Sequence, residues 1–396
     1  MSKIILHLDL DAFFCRAEEI KNPSLEGKPF IVGGDGRKGI VSTCSYKARE
    51  YGIHSGMPTF QAKMLCKNIL ILPGDYHYYS LLSKEFINYL KRYSKKIQQM
   101  SIDECFLDLT EYYEKSGKKI TEILKKIQNE LFEKYKLKVS IGVGTTKFIA
   151  KMASDYKKPM GITIIRNRDI PKMLFPLPVK SFFGIGKKTV PKLNQLGIYT
   201  IGDLYNHCLN DLNEVNDVVG KFSADIINEL EGKSSDEVST EFIEPKSIGM
   251  SRTLDYDTNN REVILEMLEF QIDNVVDSMI EQQMLTKTIY LVYKDAACDN
   301  DFKEKSFSHS LNNYTDNKEL IRKETISLFN KTYDGKVIRL IGFTLKNLKE
   351  KENTVVQMTF EDFAKHEENS KSFIIMNELN RVYNKPIFKK LSDLEK

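Results

Sequence analysis

The stretch Ser101-Ile102-Asp103-Glu104 places two adjacent acids at the start of an apolar run that extends to Leu109. An apolar run predicts a buried strand, and a buried carboxylate costs several kcal/mol unless a partner compensates it. Asp9 interrupts the apolar residues 4–10 in the same way. Two strands that each offer a carboxylate at one edge of a sheet form a site for Mg2+, which binds carboxylates, waters and substrate phosphates. Acids that cap turns or pair with lysine explain this pattern equally well, so it leaves both interpretations open.

The composition is that of an ordinary soluble protein. The chain has 396 residues, of which 41% are hydrophobic and 29% charged, and its net charge is +4. This length predicts about two to four domains, and so modest a charge does not by itself indicate a nucleic-acid partner. The six cysteines are scattered, which favours free thiols in a reducing compartment. Asp9 and Asp11 fall where a signal peptide would be apolar, and no stretch is long enough to span a bilayer. We therefore expect a cytoplasmic protein without a membrane anchor.

The residues before about Arg166 alternate between strand and helix patterns. Apolar runs predict strands, and apolar stripes at helical spacing predict helices. The predicted strands cover residues 3–10, 29–34, 39–44, 102–110 and 138–143. The predicted helices cover residues 76–96 and 118–135, and another begins near Thr146. Acids at the edge of such a sheet indicate an α+β catalytic layout.

Several residues near these strands have the chemistry of a nucleotide site. Phe14 follows the first carboxylate and is either a core residue, the commoner fate of Phe, or a wall for a sugar. Tyr46 and Arg49 are three residues apart on a predicted helix, and Thr43 lies near its start, which suits a triphosphate. Lys158 precedes Pro-x-Gly and could reach a phosphate as a point charge. Taken singly, each of these residues is explained better as ordinary core or solvated surface.

A helical region and a linker follow. Residues 170–233 have the pattern of short helices and include Gly184-Ile185-Gly186, followed by Lys187 and Lys188. A Gly-x-Gly turn between short helices lets backbone N–H groups approach phosphates, which predicts sequence-independent contact with the DNA backbone. Residues 234–245 are polar and predict a linker.

Beyond the linker, the sequence predicts a small separate α+β domain. Its long helix begins near Asn259, with Glu262 in a capping-box pattern. The predicted buried stripe of this helix is Val263, Met267, Ile272, Val275, Val276, Met279 and Ile280. Strands are expected at about 287–294, 303–309 and 337–345, with a second helix at about 317–330. The candidates for phosphate contact, which a solvated basic face explains equally well, are Ser251, Arg252, Lys287, Lys294, Lys305, Arg339 and Lys346.

Together these residues make the chain resemble the Y-family translesion DNA polymerases, which include the bacterial DinB-like and UmuC-like branches. The resemblance runs from residue 4 to about residue 345. It rests on motifs that are weak singly and very specific together, in the same order as in the family. The motifs are Asp9-Leu10-Asp11-Ala12-Phe13-Phe14, Asn22-Pro23-Ser24-Leu25-x-Gly27-Lys28-Pro29, Tyr46-x-Ala48-Arg49-x-Tyr51-Gly52-Ile53, Ser101-Ile102-Asp103-Glu104, Lys158-Pro159-x-Gly161, Gly184-Ile185-Gly186 and Lys246-Ser247-Ile248-Gly249.

The resemblance implies a template-directed DNA polymerase that adds dNTPs to a primer 3'-hydroxyl and copies past lesions with low fidelity. It implies that Asp9, Asp103, Glu104 and the carbonyl of Leu10 hold two Mg2+ ions, for which Mn2+ would substitute. Such a metal pair stabilises the attacking and leaving oxygens together. Phe14 would be the steric gate that excludes a ribose 2'-hydroxyl. The implied nucleotide-binding residues are Phe13, Phe14, Thr43, Tyr46, Arg49 and Lys158.

The implied fold class is a multidomain α+β right hand. Its parts would be a palm (1–10 and 75–165), fingers (11–74), a thumb with a helix-hairpin-helix (166–233), the linker (234–245) and a little finger (246–345). The protein would act as a monomer on primer-template DNA. The implied DNA contacts are Gly184, Gly186, Lys187, Lys188, Ser251 and Arg252.

The chain also departs from the family. Cys105-Phe106 follows Glu104 where a small residue and Tyr are usual, which affects packing more than chemistry. The C-terminal tail (346–396) holds a degenerate version of the family's peptide for the sliding clamp, with Gln357, Phe360 and Phe363, and leaves clamp binding open. Two other functions remain as alternatives. A nucleotide cyclase shares the palm-like sheet but needs no DNA grip, and a non-catalytic DNA-binding repair accessory protein would hardly keep every catalytic acid.

Overall fold

The computed structural model describes residues 3–36, 38–235, 237–241, 244–296 and 304–351. Packing contacts divide the chain into two units, Met1–Phe242 and Ile243–Lys396, and this division falls inside the predicted linker. The candidate clamp residues Gln357, Phe360 and Phe363 lie outside the described residues. Cys298 also lies outside them, whereas the other cysteines are buried free thiols. Within the described residues, no helix has the length and apolar character needed to cross a membrane.

The first unit contains two sheets. Its strands are β1 (Ile5–Leu10), β2 (Phe30–Gly33), β3 (Val41–Cys44), β4 (Leu70–Leu72), β5 (Ile97–Gln99), β6 (Glu104–Asp108), β7 (Val139–Gly144) and β8 (Ile162–Ile164). The larger sheet has the order β5-β6-β1-β7-β8, in which only the β7–β8 pair is parallel. The smaller sheet has the order β3-β2-β4. Strand β1 therefore lies at the centre of the larger sheet, between β6 and β7.

Helices cover these sheets and form a separate cluster after β8. They are α1 (Phe13–Lys21), α2 (Tyr46–Arg49), α3 (Thr59–Leu65), α4 (Tyr76–Leu90), α5 (Thr110–Ser116), α6 (Ile120–Tyr135), α7 (Lys147–Tyr156), α8 (Ile170–Met173), α9 (Val190–Gln195), α10 (Ile201–Asn210), α11 (Leu212–Val219) and α12 (Ser223–Leu230).

The alternation of β1 explains how a buried strand carries a carboxylate. Leu6, Leu8 and Leu10 face one side of the sheet and pack in a core with α4 and α6. Successive side chains of a strand point to opposite faces, so His7 and Asp9 face the other side. That side is covered by α7. The acid in the apolar run therefore lies on a different face from the hydrophobic core.

Helix α7 lies close against the sheet because β7 has a glycine at the contact. A Cβ atom at Gly142 would lie 2.0 Å from the carbonyl oxygen of Ala150 and 2.2 Å from the nitrogen of Ser154. Any larger residue would push the helix away from the sheet. This close packing places the polar residues of α7 beside His7 and Asp9.

The helical cluster carries the predicted Gly-x-Gly turn. Gly184 has φ of 101°, a conformation that residues with a side chain rarely adopt, and a Cβ there would lie 2.9 Å from the Phe222 ring. Ile185 is buried between the two glycines, and the turn leads towards α9. A single 3₁₀ turn, Val179–Ser181, precedes it in place of the first short helix that the sequence predicts.

Several predicted boundaries in the first unit are wrong. The helix predicted over 76–96 ends at Leu90, and the strand β5 follows at Ile97–Gln99 and pairs with β6. Asp103 precedes β6 and does not lie within it. Thr43 lies in β3 just before a helix, as predicted, but that helix has only one turn.

The predicted linker is partly packed against the first unit. Val238 is buried in a small cluster with Ile5, Phe106 and Ala150. Next to it, the backbone nitrogen of Ser239 donates to the Gln98 side chain at 3.3 Å. This segment is thus anchored on the face of the sheet that α7 covers.

The second unit is one antiparallel sheet with two helices. Its elements are β9 (Ser247–Thr258), α13 (Arg261–Glu281), β10 (Met284–Asp295), β11 (Glu304–Thr315), α14 (Lys318–Thr332), β12 (Ile338–Lys346) and β13 (Lys349–Glu350). The strand order is β11-β10-β12-β9, and β13 pairs with one end of β10. Both helices pack on the same face of this sheet, in one core.

The sequence predicts this unit with three errors. The twelve-residue strand β9 is missing from the predicted elements, although Ile248, Met250 and Leu254 alternate with polar residues or glycine and pack in the core. The cap of α13 is Asn260, whose side chain accepts from the nitrogen of Glu262, and not Asn259. The buried stripe begins at Ile264 and Leu268 where Val263 and Met267 were expected, and Ile280 is exposed.

Candidate active site

Asp9 lies at the centre of a polar cluster on the α7 face of the larger sheet. In the strand register it stands opposite Glu104 on β6 and Ser140 on β7. Its Oδ2 atom lies 2.8 Å from Nζ of Lys158 and 3.3 Å from Nζ of Lys151. The two ammonium groups compensate the partly buried carboxylate.

Glu104 is turned towards α7. Its Oε2 atom lies 2.8 Å from Nζ of Lys151 and 3.4 Å from Nε2 of His7. The His7 ring and the Lys151 ammonium lower the pKa of Glu104 to about 2, so the carboxylate is ionised at neutral pH. Burial lowers the pKa of His7. Its Nδ1 atom is 2.8 Å from Oγ of Ser154, which fixes the ring.

Asp103 is held by its own turn. The Ser101 hydroxyl bonds to its carboxylate and also accepts from the backbone nitrogens of Asp103 and Glu104, at 3.3 and 3.2 Å. The nitrogen of Leu10 donates to the Asp103 carbonyl at 2.9 Å and ties this turn to the end of β1. Burial raises the pKa of Asp103, and the neighbouring charges of Asp9 and Glu104 raise it further.

The three predicted catalytic acids do not form a single tight group. Donor atoms of His7, Asp9 and Glu104 all lie within 4.8 Å of one another. Asp103 instead lines an open pocket with Asp9 and Leu10. Asp9 therefore belongs both to the group with His7 and Glu104 and to the lining of the pocket with Asp103. Carboxylate and carbonyl oxygens are hard donors, so this set fits Mg2+.

The same pocket collects most of the predicted nucleotide-binding residues. Its lining consists of Asp9, Leu10, Asp11, Ala12, Phe13, Thr43, Tyr46, Arg49, Asp103 and Lys158. The Arg49 guanidinium lies 4.6 Å from the centre of the Tyr46 ring, which confirms that these side chains share a face. The pocket thus combines carboxylates on one wall with cations and hydroxyls on the others, which suits a metal-bound triphosphate.

The predicted gate residue lies beside this pocket and is not part of its lining. The Phe14 ring stacks on Tyr79 with a centroid separation of 4.5 Å and meets Tyr76 edge-on at 5.6 Å. The Tyr79 hydroxyl donates to buried Glu18 at 2.6 Å. Phe13 is buried in the core, so its contact with the pocket comes from a residue that is otherwise structural.

Sequence reasoning missed Asp11, His7 and Lys151. Asp11 is 2% exposed, and burial raises its pKa. It accepts hydrogen bonds from the Ser140 hydroxyl at 2.8 Å and the Tyr46 hydroxyl at 3.3 Å. A signal was present for Asp11, a second acid two residues after Asp9. None was present for Lys151, whose position depends on how α7 packs.

The predicted DNA-binding residues of the helical cluster lie on its surface. Gly184, Gly186, Lys187 and Lys188 are exposed, while Ile185 between them is buried. Neither lysine has a carboxylate partner among the described residues. Backbone N–H groups and free ammonium groups are thus available together at one turn.

In the second unit the structure separates the predicted pair Ser251 and Arg252. They face opposite sides of β9, and the Arg252 guanidinium lies 4.6 Å from the centre of the Phe270 ring on the helix side. Three other predicted contacts pair with carboxylates, namely Arg339 with Asp257, Lys305 with Asp295 and Asp334, and Lys294 with Glu304. Side chains held in this way are poorer candidates for phosphate contact than the sequence suggests.

Family models match most of the chain. The impB/mucB/samB family matches residues 8–155, the IMS family HHH motif matches residues 167–198, and the impB/mucB/samB family C-terminal domain matches residues 245–360. Among curated relatives, DNA polymerase IV 1 of Bacillus subtilis is 35% identical over 100% of this chain and 94% of its own length. DNA polymerase IV of Listeria monocytogenes serotype 4a is 36% identical over 88% of this chain and 96% of its own length.

Solved structures of DNA polymerases also match this chain. A Y-family DNA polymerase chimera, Dbh-Dpo4(243-245)-Dbh, is 28% identical and superposes with a TM-score of 0.75 over 88% of this chain and 99% of its own. An insertion ternary complex of Dbh DNA polymerase is 28% identical over the same shares, with a TM-score of 0.61.

The chain therefore belongs to the impB/mucB/samB family, the DinB-like Y-family DNA polymerases. It is a DNA-directed DNA polymerase of the translesion class, with the palm, fingers, thumb and little finger of that fold. The comparisons favour the DinB-like over the UmuC-like branch, which the sequence left open. The fold implies dependence on a divalent metal ion.

Proposed function

We propose that Asp9, Asp103, Glu104 and the carbonyl of Leu10 hold two Mg2+ ions, with Mn2+ as a substitute. The donors are hard oxygens, and Lys151 and Lys158 balance their charge. Bound there, the ions supply stabilisation of the attacking and leaving oxygens in phosphoryl transfer. The chain itself needs no nucleophile for this reaction.

The incoming dNTP would lie along the pocket. Its triphosphate meets the cations of Arg49 and Lys158 and the hydroxyls of Thr43 and Tyr46, which line the pocket together. Burial raises the pKa of Tyr46, so its phenol stays protonated and acts as a donor. Phe14 excludes a ribose 2'-hydroxyl, with Tyr79 holding its ring in place.

Primer-template DNA would contact both units. The exposed turn Gly184–Gly186 offers backbone N–H groups to a phosphate, and Lys187 and Lys188 add charge. In the second unit, Ser251 is a better candidate than Arg252, whose guanidinium stacks on Phe270.

The remaining assignments extend the family resemblance. The palm spans residues 1–10 and 75–165, the fingers 11–74, the thumb 166–233 and the little finger 246–345. The enzyme acts as a monomer in the cytoplasm. Gln357, Phe360 and Phe363 form the candidate peptide for a sliding clamp, which an extension assay with and without a clamp on the full chain and on a chain ending at residue 351 would test.

One observation carries this proposal: the predicted catalytic acids Asp9 and Asp103 line the same pocket as the cations suited to a triphosphate. The intact set of acids argues against a non-catalytic accessory protein. A nucleotide cyclase would have no use for the helical turn and the second unit.

Primer extension on a defined template tests the proposal. Wild type with Mg2+ and dNTPs should extend the primer, chelation of the metal should stop it, and Asp103→Ala should be inactive while still binding DNA. Failure of wild type to extend any primer, with DNA binding retained, would overturn the proposed activity.

A further inference from the structure

The loop that carries Lys158 is held at Met160 by two side chains, beside the backbone hydrogen bond that the nitrogen of Ile141 donates to the carbonyl of Gly161. Its φ is 56°, in the left-handed region that non-glycine residues rarely adopt. The nitrogen of Met160 donates to Oδ2 of Asp11 at 2.7 Å. Its carbonyl oxygen accepts from Nε2 of Gln128 at 3.0 Å. Both polar groups of this residue are thus bound by side chains from elsewhere in the fold.

These two side chains are themselves fixed. Asp11 is 2% exposed and Gln128 is 8% exposed. Asp11 accepts from the Ser140 hydroxyl at 2.8 Å, and Gln128 also donates to the carbonyl of Val139 at 2.9 Å. Both anchors belong to β7, the neighbour of the strand that carries Asp9. Met160 is therefore held to the larger sheet of the first unit by two side chains.

Met160, which these two side chains hold, lies two residues after Lys158, whose ammonium group lines the pocket. Lys158 Nζ lies 2.8 Å from both Asp9 and Asp155. A lysine side chain has many rotamers, so its charge is placed well only if its backbone is held. Without these two hydrogen bonds to Met160, the loop could shift and the ammonium group would change its position relative to the pocket.

We propose that Asp11 and Gln128 are positioning residues that hold Met160 and thereby present the Lys158 ammonium to the triphosphate. This inference rests on the proposed function, in which Lys158 binds the incoming nucleotide. Neither residue needs to touch the substrate for this role. Their action passes through the backbone of the loop.

Replacement of Gln128 by methionine tests the role with little change in volume. Gln128→Met removes the donor to Met160 and should raise KM for dNTP about tenfold, while kcat and KM for DNA change less than about twofold. The matched control is Gln271→Met. Gln271 is also buried on a helix and donates to a strand carbonyl, that of Ile341 at 3.0 Å, but in the second unit. This control should lower the melting temperature and leave KM for dNTP unchanged.

Two further variants separate positioning from plain stability. In the Lys158→Met background, adding Gln128→Met should raise KM for dNTP less than about twofold, because the ammonium group that Met160 positions is already absent. Asp11→Asn should be milder than Asp11→Ala, since the Asn carbonyl can accept from Met160 while its amide donates to the Ser140 and Tyr46 hydroxyls.

The outcomes are distinct. An equal rise of KM with and without Lys158, or a fall in melting temperature without any change in KM, would overturn the inference. A failure of the proposed function would appear earlier, as wild-type protein that does not extend a primer. A melting curve for each variant shows whether it is folded, and Asp11→Asn keeps the test open if Gln128→Met does not fold.

Discussion

The two units use charged residues in opposite ways. On the larger sheet of the first unit, Asp9 and Glu104 are partly buried and share Lys151 between them. On the sheet of the second unit, opposite charges pair with one another, as in the partly buried pair of Arg339 with Asp257. Acids that lie close together and partly buried repel one another, and they are costly unless cations compensate them. A group of acids that the fold keeps together at this cost marks the chemical site.

Among changes outside the catalytic acids, the largest effect concerns the sugar of the nucleotide. Phe14→Ala removes the ring that stacks on Tyr79, so ribonucleotides should be admitted. The ratio of kcat/KM for dNTP over rNTP should fall about a hundredfold, the scale of discrimination that a packed pocket provides. Single-nucleotide incorporation kinetics measure this ratio.

Phe86→Leu serves as the control, because Phe86 is a buried residue of α4 in the core. It should lower stability and leave the sugar preference intact. An unchanged dNTP/rNTP ratio in Phe14→Ala would refute the gate assignment.

A middle-sized effect concerns phosphate binding by unpaired and paired lysines. The double change Lys187→Ala, Lys188→Ala should weaken DNA binding about tenfold and reduce the slope of log K against log salt by about 2, because two phosphate contacts are lost. Fluorescence anisotropy over a salt series gives both quantities.

Lys305→Ala, Lys318→Ala is the paired counterpart, since carboxylates hold both lysines. Its salt slope should match wild type. A similar loss of slope in the two double variants would mean that pairing does not distinguish binding lysines from structural ones.

The smallest effect lies within one strand of the second unit. Ser251→Asp puts a negative charge on the face away from the helices and should lower DNA affinity about fivefold. Arg252→Ala should change it less than about twofold, because its guanidinium lies over Phe270. Binding titrations at one salt concentration suffice, and a larger loss in Arg252→Ala would reverse this assignment.

The sequence predicts the elements of this fold better than their limits. Hydrophobic periodicity and composition predict β1, β7 and α6, whose apolar patterns are strong. They miss β9, although its apolar and polar residues alternate, and they extend the helix after Tyr76 beyond Leu90.

The candidate site divides in the same way. Asp9, Asp103, Tyr46 and Arg49 follow from motifs, and the structure brings them into one pocket. The neighbours that tune them do not follow, because Lys151 reaches Glu104 only through the close packing of α7 on Gly142. Such contacts depend on tertiary packing and produce no periodic pattern in the sequence.

The most direct measurement compares catalysis and DNA binding for one acid from each unit. Asp103→Asn should lower single-turnover primer extension at least about a thousandfold while DNA affinity stays within about twofold of wild type. Asp257→Asn, which loosens the pair with Arg339, should extend primers at the wild-type rate when DNA is saturating. Extension by Asp103→Asn within about tenfold of wild type would contradict the placement of the chemistry at the acids of the first unit.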